Sequence, residues 1–204
     1  MAEAVAKVAR RINATVEEGK DSVDLSKCML ASFPDGVFKV LRTVTENIRV
    51  ITLADNEMKV VSSKFFTTFT QLRELDLQGN VLTKLPDSVS EMKHLTSINL
   101  ANNKFSIFPD KLTEIATLER IDLQGNSLTG KKELLMYPLC EKGTYLHISV
   151  FLSFKFSSTE VPLEKLSDMP SLKWLNVKSN PLDSNTKSAL QSPHKFDILS
   201  TAES

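Results

Sequence analysis

The sequence holds little of the chemistry on which catalysis, metal binding or nucleic-acid binding depends. Two of its 204 residues are cysteines, Cys28 and Cys140, and their contexts suit neither a disulfide framework nor a zinc motif. Basic and acidic side chains are equal in number, 25 each, without the basic excess typical of nucleic-acid binders. The three histidines are scattered, and no glycine-rich phosphate loop follows a predicted strand. We therefore expect no enzyme, cofactor, metal or nucleic-acid partner, and the cysteine usage favours the cytoplasm, with nuclear access left open.

A secretion signal is also missing, because residues 1–20 lack its apolar core. Instead, Val5, Val8, Ile12 and Val16 recur at helical spacing, which predicts an amphipathic cap helix that covers the open end of the fold. A mitochondrial presequence is the alternative, but the three glutamates in this stretch count against it. No membrane partner is expected.

Internal repetition is the strongest signal in the chain. Four copies share a regular pattern of leucines followed by asparagine, and two further copies are degenerate. The regular copies are LRELDLQGNVLTKLP (72–86), LTSINLANNKFSIFP (95–109), LERIDLQGNSLT (118–129) and LKWLNVKSNPL (172–182). The degenerate copies are SVDLSKCMLASFP (22–34) and IRVITLADNEMKVV (48–61). The shared Asn or Cys position recurs at intervals of 28, 24, 23, 23 and 54 residues, at Cys28, Asn56, Asn80, Asn103, Asn126 and Asn180.

These copies resemble the leucine-rich repeat, whose pattern is L-x-x-L-x-L-x-x-N/C-x-L. The resemblance implies an α/β fold: a leucine-rich-repeat solenoid, a right-handed horseshoe-type arc of about six repeats with a concave parallel sheet. The repeat domain is expected over 21–199, followed by a tail at 200–204. In x-L-x-L-x the alternating leucines bury one face of a short strand. The asparagine ladder is expected to bond backbone groups of neighbouring turns, with Cys28 as a small buried substitute.

The polar strand positions align in columns on the concave face, the usual binding surface of a solenoid. The central column reads Asp24, Thr52, Asp76, Asn99, Asp122 and Asn176. The column before it reads Ser22, Val50, Glu74, Ser97, Arg120 and Trp174, and the column after it reads Ser26, Ala54, Gln78, Ala101, Gln124 and Lys178. The candidate partner-binding residues are Asp24, Thr52, Glu74, Asp76, Asn99, Arg120, Asp122, Trp174, Asn176 and Lys178.

Two interpretations of these columns stay open. The central acids and amides are either solubilising residues or a recognition strip for a partner of complementary charge. Trp174 is either an exposed interface residue or a side chain packed under the C-terminal stretch HKFDIL, which must cover the last strand edge. The acids occur once per repeat without a clustered ligand loop, so no cation site is expected.

The interval of 54 residues marks an interruption at 130–159. Removing those thirty residues joins NSLT to EVP and restores an unbroken repeat. The interrupting stretch YLHISVFLSFKFSS is aromatic and prone to β-structure. It is interpreted as a retained intron that keeps the reading frame, as a disordered or functional loop, or as an additional hairpin. We expect weak packing there and place no function in it.

The sequence therefore predicts a monomeric, non-catalytic protein–protein interaction module, an intracellular adaptor or scaffold that binds its partner on the concave face. A structural, self-associating assembly protein is the alternative. The L-x-x-L-P variant also resembles repeats of small-GTPase and phosphatase scaffolds, which implies a regulatory role by analogy alone.

Overall fold

Short strands at the repeat period build one parallel sheet. The computed structural model describes residues 2–129, 132–133, 157–158 and 161–200. Within these residues the strands are β1 (Ser22–Asp24), β2 (Val50–Thr52), β3 (Glu74–Asp76), β4 (Ser97–Asn99), β5 (Arg120–Asp122), β6 (Lys132–Glu133), β7 (Ser157–Ser158), β8 (Trp174–Asn176) and β9 (Asp197–Leu199). Seven of them form the main sheet in the order β1-β2-β3-β4-β5-β8-β9, and every neighbouring pair is parallel. The predicted solenoid with a parallel sheet is confirmed.

The return segments on the convex side are short helices, and one longer helix precedes the first strand. The α-helices are α1 (Ala2–Glu17), α2 (Asp35–Leu41), α3 (Ser63–Thr68), α4 (Leu163–Asp168) and α5 (Ser184–Leu190), and the 3-10 helices are Thr45–Asn47, Asp87–Glu91 and Asp110–Glu114. A proline precedes α2, α4 and the two later 3-10 helices, at Pro34, Pro162, Pro86 and Pro109. Its fixed φ suits the residue just before a helix or at its first turn. Repeats of 23 or 24 residues leave room for one tight turn here.

The core lies between the sheet and these return segments. Each strand of β1–β5 and β8 buries its middle residue, and a second apolar residue follows two positions later, as Ile98 and Leu100 show. Four phenylalanines from the first two repeats, Phe33, Phe38, Phe65 and Phe69, form an aromatic cluster with ring centroids 4.8–6.0 Å apart. No repeat could bury its leucines alone, so the core is continuous through the stack.

A residue of positive φ lies three positions beyond the last residue of each of the strands β1–β5 and β8. These residues are Lys27, Asp55, Gly79, Asn102, Gly125 and Ser179. Gly79 and Gly125 each follow a repeat with a longer side chain at this position. A Cβ on Gly79 would overlap Asp55 Oδ1, and one on Gly125 would overlap Asn102 Oδ1. Glycine is needed there both for the backbone and for the neighbour's side chain.

Helix α1 covers the first edge of the sheet and confirms the predicted cap helix. Thr15 Oγ1 donates to the carbonyl of Ser22 at 3.3 Å, and Lys7 Nζ donates to the carbonyl of Lys27 at 2.8 Å. Between them, Arg11 donates to the carbonyls of Asp24 and Ser26 at 3.2 and 2.9 Å. Side chains therefore take the backbone acceptors that an absent preceding strand would have used.

At the other end the sheet has a strand that the repeat pattern does not predict. The stretch expected to cover the last edge does so as β9, which pairs in parallel with β8 and places Asp197 beside Trp174. Phe196, just before β9, is buried. The stretch lacks the leucine and asparagine spacing of a repeat, so it could be recognised as a cover but not as a strand.

The repeat closes across the interruption. Strand β5 pairs directly with β8, and the N–H of Leu128 donates to Asn180 Oδ1 at 3.0 Å. The N–H of Asp183 also donates to the carbonyl of Thr129 at 2.9 Å. Strands β6 and β7 pair antiparallel with each other, outside the main sheet. The rest of 130–159, and with it the choice between intron, loop and hairpin, lies outside the described residues.

Candidate interaction surface on the concave face

The register of the sheet places the predicted columns side by side. In the column before the centre, Ser22, Val50, Glu74, Ser97, Arg120 and Trp174 are paired in sequence across the sheet. In the central column the same holds for Asp24, Thr52, Asp76, Asn99, Asp122 and Asn176. Successive strand residues point to opposite faces, so both columns share the face opposite the buried middle residues. Nine of the ten candidate residues thus lie on one surface, and Lys178 lies two residues beyond β8.

The asparagine ladder lies under this surface and does not belong to it. Asn103 is typical: its Oδ1 accepts from the N–H of Leu82, and its Nδ2 donates to the carbonyls of Leu77 and Leu100, each at 3.0 Å. Asn56, Asn80, Asn126 and Asn180 make the same kind of bonds. These buried amides satisfy backbone groups that no strand partner reaches. Their role is structural.

The first ladder position has no earlier repeat to bond. Cys28 is buried, and its backbone N–H donates to Asn56 Oδ1 at 2.9 Å. Its thiol donates to the carbonyl of Ser26 at 3.4 Å. A small side chain is sufficient here because α1 supplies the remaining donors through Lys7 and Arg11.

The central column has a backbone task that the sequence patterns did not indicate. In Asp76, Asn99 and Asp122 the Oδ1 atom accepts a hydrogen bond from the backbone N–H two residues later, at 3.0–3.1 Å. Asp24 and Asn176 do the same with the N–H groups of Ser26 and Lys178. Such turns are a regular use of Asp and Asn, which explains why these two residue types recur at the end of each strand. The repetition of Asp or Asn at this position was the available signal.

Amide side chains connect neighbouring strands on the same face. Asn99 Nδ2 donates to Gln78 Oε1 at 3.0 Å. Asn176 Nδ2 donates to Gln124 Oε1 at 3.0 Å and to Asp122 Oδ2 at 3.3 Å. These side chains are therefore already held in place before any partner binds.

The middle of the face is acidic. Glu74 is exposed, and Asp76 and Asp122 are partly buried. Within the described residues none of the three takes part in an ion pair. Burial raises the pKa of Asp76, and the charges of Asp55 and Asp122 raise it further, while the hydrogen bond from the N–H of Gln78 opposes them. Asp76 thus carries a charge that its surroundings do not compensate.

Asp24 differs because the cap helix engages it. Arg11 lies 3.1 Å from Asp24 Oδ1. Burial acts to raise the pKa of Asp24, but the hydrogen bonds of Ser26 and the charges of Arg11 and Lys7 together hold it below its usual value. Asp24 is therefore part of the contact between the cap and the sheet, although it stays exposed.

Arg120 and Trp174 lie together toward the C-terminal end of the face, next to exposed Asp197 of β9. The guanidinium carbon of Arg120 lies over the ring of Trp174, 4.6 Å from its centre. Arg120 is exposed and Trp174 is partly buried. Trp174 pairs with Asp197 of β9 in the register, so the C-terminal strand lies beside it. The surroundings of Trp174 are thus compatible with both interpretations, an interface residue and a side chain packed under the C-terminal stretch.

A separate cavity lies at the first repeat. It has a volume of about 670 Å³ and opens between α1 and α2, with a mainly aliphatic lining that includes Val8, Ile12 and Val37. Few polar groups reach it, so little in its lining would orient a ligand. The polar, charged concave face is the stronger candidate for recognition.

Other functional chemistry is weakly represented. Across the described ranges, no three His, Cys, Asp or Glu side chains are grouped so that they could hold a metal ion. His194 contacts the carbonyl of Ala189 at the end of α5 and stacks on Phe196, a structural arrangement. Among the helices in the described part of the chain, none has the length and apolar character needed to cross a membrane.

Comparison with known proteins agrees with this geometry. The family model described as leucine rich repeat matches residues 46–105 and 70–128. Leucine-rich repeat-containing protein 20 of Mus musculus is 46% identical over 203 residues, which are 100% of this chain and 94% of that protein. The Homo sapiens protein of the same name is 59% identical over 95 residues, 47% of this chain and 52% of the human protein.

A solved structure shows the same fold. The leucine-rich repeat protein of Leptospira interrogans superposes with a TM-score of 0.59 at 23% identity, over 83% of this chain and 34% of that one. At this identity the likeness concerns the fold alone. Repeat pattern, sheet register and the full-length relative together place the chain in the leucine-rich repeat family.

Proposed function

We propose that this chain is a non-catalytic protein–protein interaction module, an intracellular adaptor or scaffold that binds its partner on the concave face. One observation carries the proposal: the sheet register gathers onto one surface, from separate repeats, an arginine–tryptophan pair and acids that have no ion pair within the described residues. The asparagine ladder is bonded inward, and the central column accepts turn N–H groups that an uncharged asparagine accepts equally well. The charges of the acids and the Arg120–Trp174 pair go beyond this backbone role, and arginine and tryptophan are enriched among the residues that dominate interface energies.

The compartment and the oligomeric state belong to the same proposal. Cys28 is a buried free thiol, which suits a reducing environment such as the cytoplasm, with access to the nucleus. The proposed unit is a monomer, since α1 covers one edge of the sheet and a short strand, β9, ends the other. Short or covered edges disfavour pairing between copies.

Proximity labelling in cells tests the proposal. The bait is the full chain, compared with Trp174→Ala and with the double variant Asp76→Asn/Asp122→Asn. Asparagine keeps the turn to the backbone N–H, as Asn99 and Asn176 do, and removes only the charge. We expect a defined set of labelled proteins to be lost from both variants.

Matched controls make the result specific to the face. Glu91→Gln removes an exposed charge on the convex side, in the 3-10 helix Asp87–Glu91, and is expected to leave labelling unchanged. Melting temperatures of all variants are measured alongside. A labelled set that survives the concave variants, or vanishes only together with folding, contradicts the proposal.

Size-exclusion chromatography separates this function from the self-associating alternative. The chain is run with and without residues 130–159, over a range of concentrations. A monomer in both forms, with the labelled partner retained, supports the adaptor. Stable oligomers that dissociate when the segment is removed would favour an assembly role instead.

A further inference from the structure

The two halves of the concave face carry opposite charges that are not neutralised within the described residues. The acidic half is Glu74 and Asp76 on β3 with Asp122 on β5. The basic half is Arg120 on β5, with exposed Lys178 just beyond β8. None of these five side chains belongs to a salt bridge in the part of the chain that the structure describes.

Arg120 is oriented away from the acids. It lies on the same strand as Asp122, two residues earlier, so both side chains are on the same face. Even so, its guanidinium is over the ring of Trp174 on the next strand, 4.6 Å from the ring centre. The stacking holds the long side chain in one arrangement and leaves guanidinium N–H groups free for a carboxylate. A group held in place before binding loses less entropy when a ligand arrives.

The acidic half has the converse property. Asp76 is desolvated and repelled by Asp55 and Asp122, and these effects raise its pKa. A cation placed among Glu74, Asp76 and Asp122 would remove this repulsion. Asn99, on the strand between Asp76 and Asp122, donates to Gln78 and adds no charge of its own.

Sheet geometry sets the distance between the halves. Asp76 on β3 and Arg120 on β5 are two strand spacings apart, about 10 Å, and Trp174 is one spacing further, about 14 Å. An extended segment that crosses the strands advances about 3.3 Å per residue. Three or four residues therefore separate side chains that reach the two halves.

From this layout we propose that the partner presents a short extended segment with a lysine or arginine at one end and an aspartate or glutamate three or four residues away. The basic side chain lies among Glu74, Asp76 and Asp122, and the acidic side chain binds Arg120 on its tryptophan. The inference rests on the proposed function and adds the chemistry of the partner. Uniformly basic and uniformly acidic segments match one half and are repelled by the other.

A displayed library of random peptides, about twelve residues long so that they span the face, tests this. It is panned against the purified full chain, against Arg120→Glu and against Glu74→Lys/Asp76→Asn. Wild type is expected to enrich peptides with oppositely charged residues at the stated spacing. For individual peptides, Arg120→Glu should weaken binding about tenfold, and alanine in place of the peptide's acid should then cost little more. The other variant should do the same for the peptide's basic residue.

Charge reversals on the convex side are the matched controls. Lys93→Glu and Glu91→Lys alter exposed residues with no ion pair in the described part, and the enriched peptides should bind them as they bind wild type. Peptides that lose binding with Trp174→Ala but show no charge pair would overturn this inference and leave the proposed function standing. Peptides indifferent to every concave change, or no enrichment at all, would count against both.

Discussion

Aspartate and asparagine share one backbone task in the central column and differ in what they add to it. Asp76 and Asn99 each accept from the N–H two residues on, at 3.0 and 3.1 Å. The carboxylate adds a charge, and the charge of Asp76 lies among Asp55 and Asp122. An asparagine in place of Asp76 would make the same turn hydrogen bond, so the fold does not need the negative charge. A charged residue at such a position is therefore a candidate for function.

Replacing Asp76 with asparagine is expected to stabilise the protein at neutral pH. The pKa of Asp76 is raised by burial and by its acidic neighbours, so the folded state binds the proton more tightly than the unfolded state does. The carboxylate therefore costs stability above that pKa, and the cost disappears as pH falls through it. Thermal unfolding should show a melting temperature up to about 2 °C higher for Asp76→Asn at neutral pH, with the difference vanishing in acid.

Asp24→Asn is the comparison with the opposite sign. The pKa of Asp24 is lowered, since the Ser26 hydrogen bonds and the charges of Arg11 and Lys7 outweigh burial. Its carboxylate thus contributes stability at neutral pH that is lost as pH falls through the lowered pKa. The variant should melt below wild type at neutral pH. Equal shifts of the same sign for both variants would contradict this account.

The ladder makes a larger contribution per residue. Asn103→Ala leaves the N–H of Leu82 and the carbonyls of Leu77 and Leu100 without their partner in a buried region. We expect a loss of about 3 kcal/mol in the free energy of unfolding, measured with urea. Asn185→Ala, an exposed site in α5, is the control and should change little. A loss below about 1 kcal/mol would show that water replaces the amide.

Among the elements, some were predictable and others were not, for identifiable reasons. The strands follow from alternation with a period of two, and their register follows from the shared leucine and asparagine positions of the repeats, so the concave columns could be predicted. Return segments such as Asp87–Glu91 carry no such period, because a single 3-10 turn is too short to show one. Strand β9 is stabilised by its neighbour rather than by its own pattern. The contact between Arg120 and Trp174 depends on side-chain rotamers, which the aligned repeat sequences do not specify.

Helix α1 is expected to stabilise the first edge of the sheet through the contacts of Arg11. Arg11 donates to two carbonyls of the first strand region and pairs with Asp24. Arg11→Ala should lower the free energy of unfolding by about 1 kcal/mol, because these backbone acceptors lose their partner. Arg10→Ala, at the exposed neighbouring residue, should leave it unchanged.

Hydrogen exchange locates the effect of that change. In Arg11→Ala, protection should fall in β1 and β2 before it falls in β4 and β5, since stability in a repeat protein is transmitted between neighbours. Uniform loss along the sheet would show that α1 does not act as a local cap.

For the whole molecule, the interruption is expected to be dispensable for folding. Strand β5 pairs with β8, and Leu128 bonds Asn180 across it, so the sheet does not depend on what intervenes. Strands β6 and β7 pair with each other, which brings the two ends of the segment together. A chain without residues 130–159 should keep its circular dichroism spectrum and melt within about 3 °C of the full chain. A collapse of the melting transition would show that the segment is part of the core.

The ladder also has a direction. Every asparagine completes the repeat before its own: Asn56 bonds Leu25 and Cys28, and Asn80 bonds Leu53 and Met58. During synthesis, each repeat therefore remains unfinished until the following one leaves the ribosome. Truncation opens different groups at the two ends. A cut from the C-terminus leaves backbone N–H and carbonyl groups of the last remaining repeat without their asparagine, whereas a cut that removes the first repeat leaves the side chain of Asn56 without Leu25 and Cys28. The hydrogen bonds of the ladder therefore form in order from the N-terminal repeat to the C-terminal one.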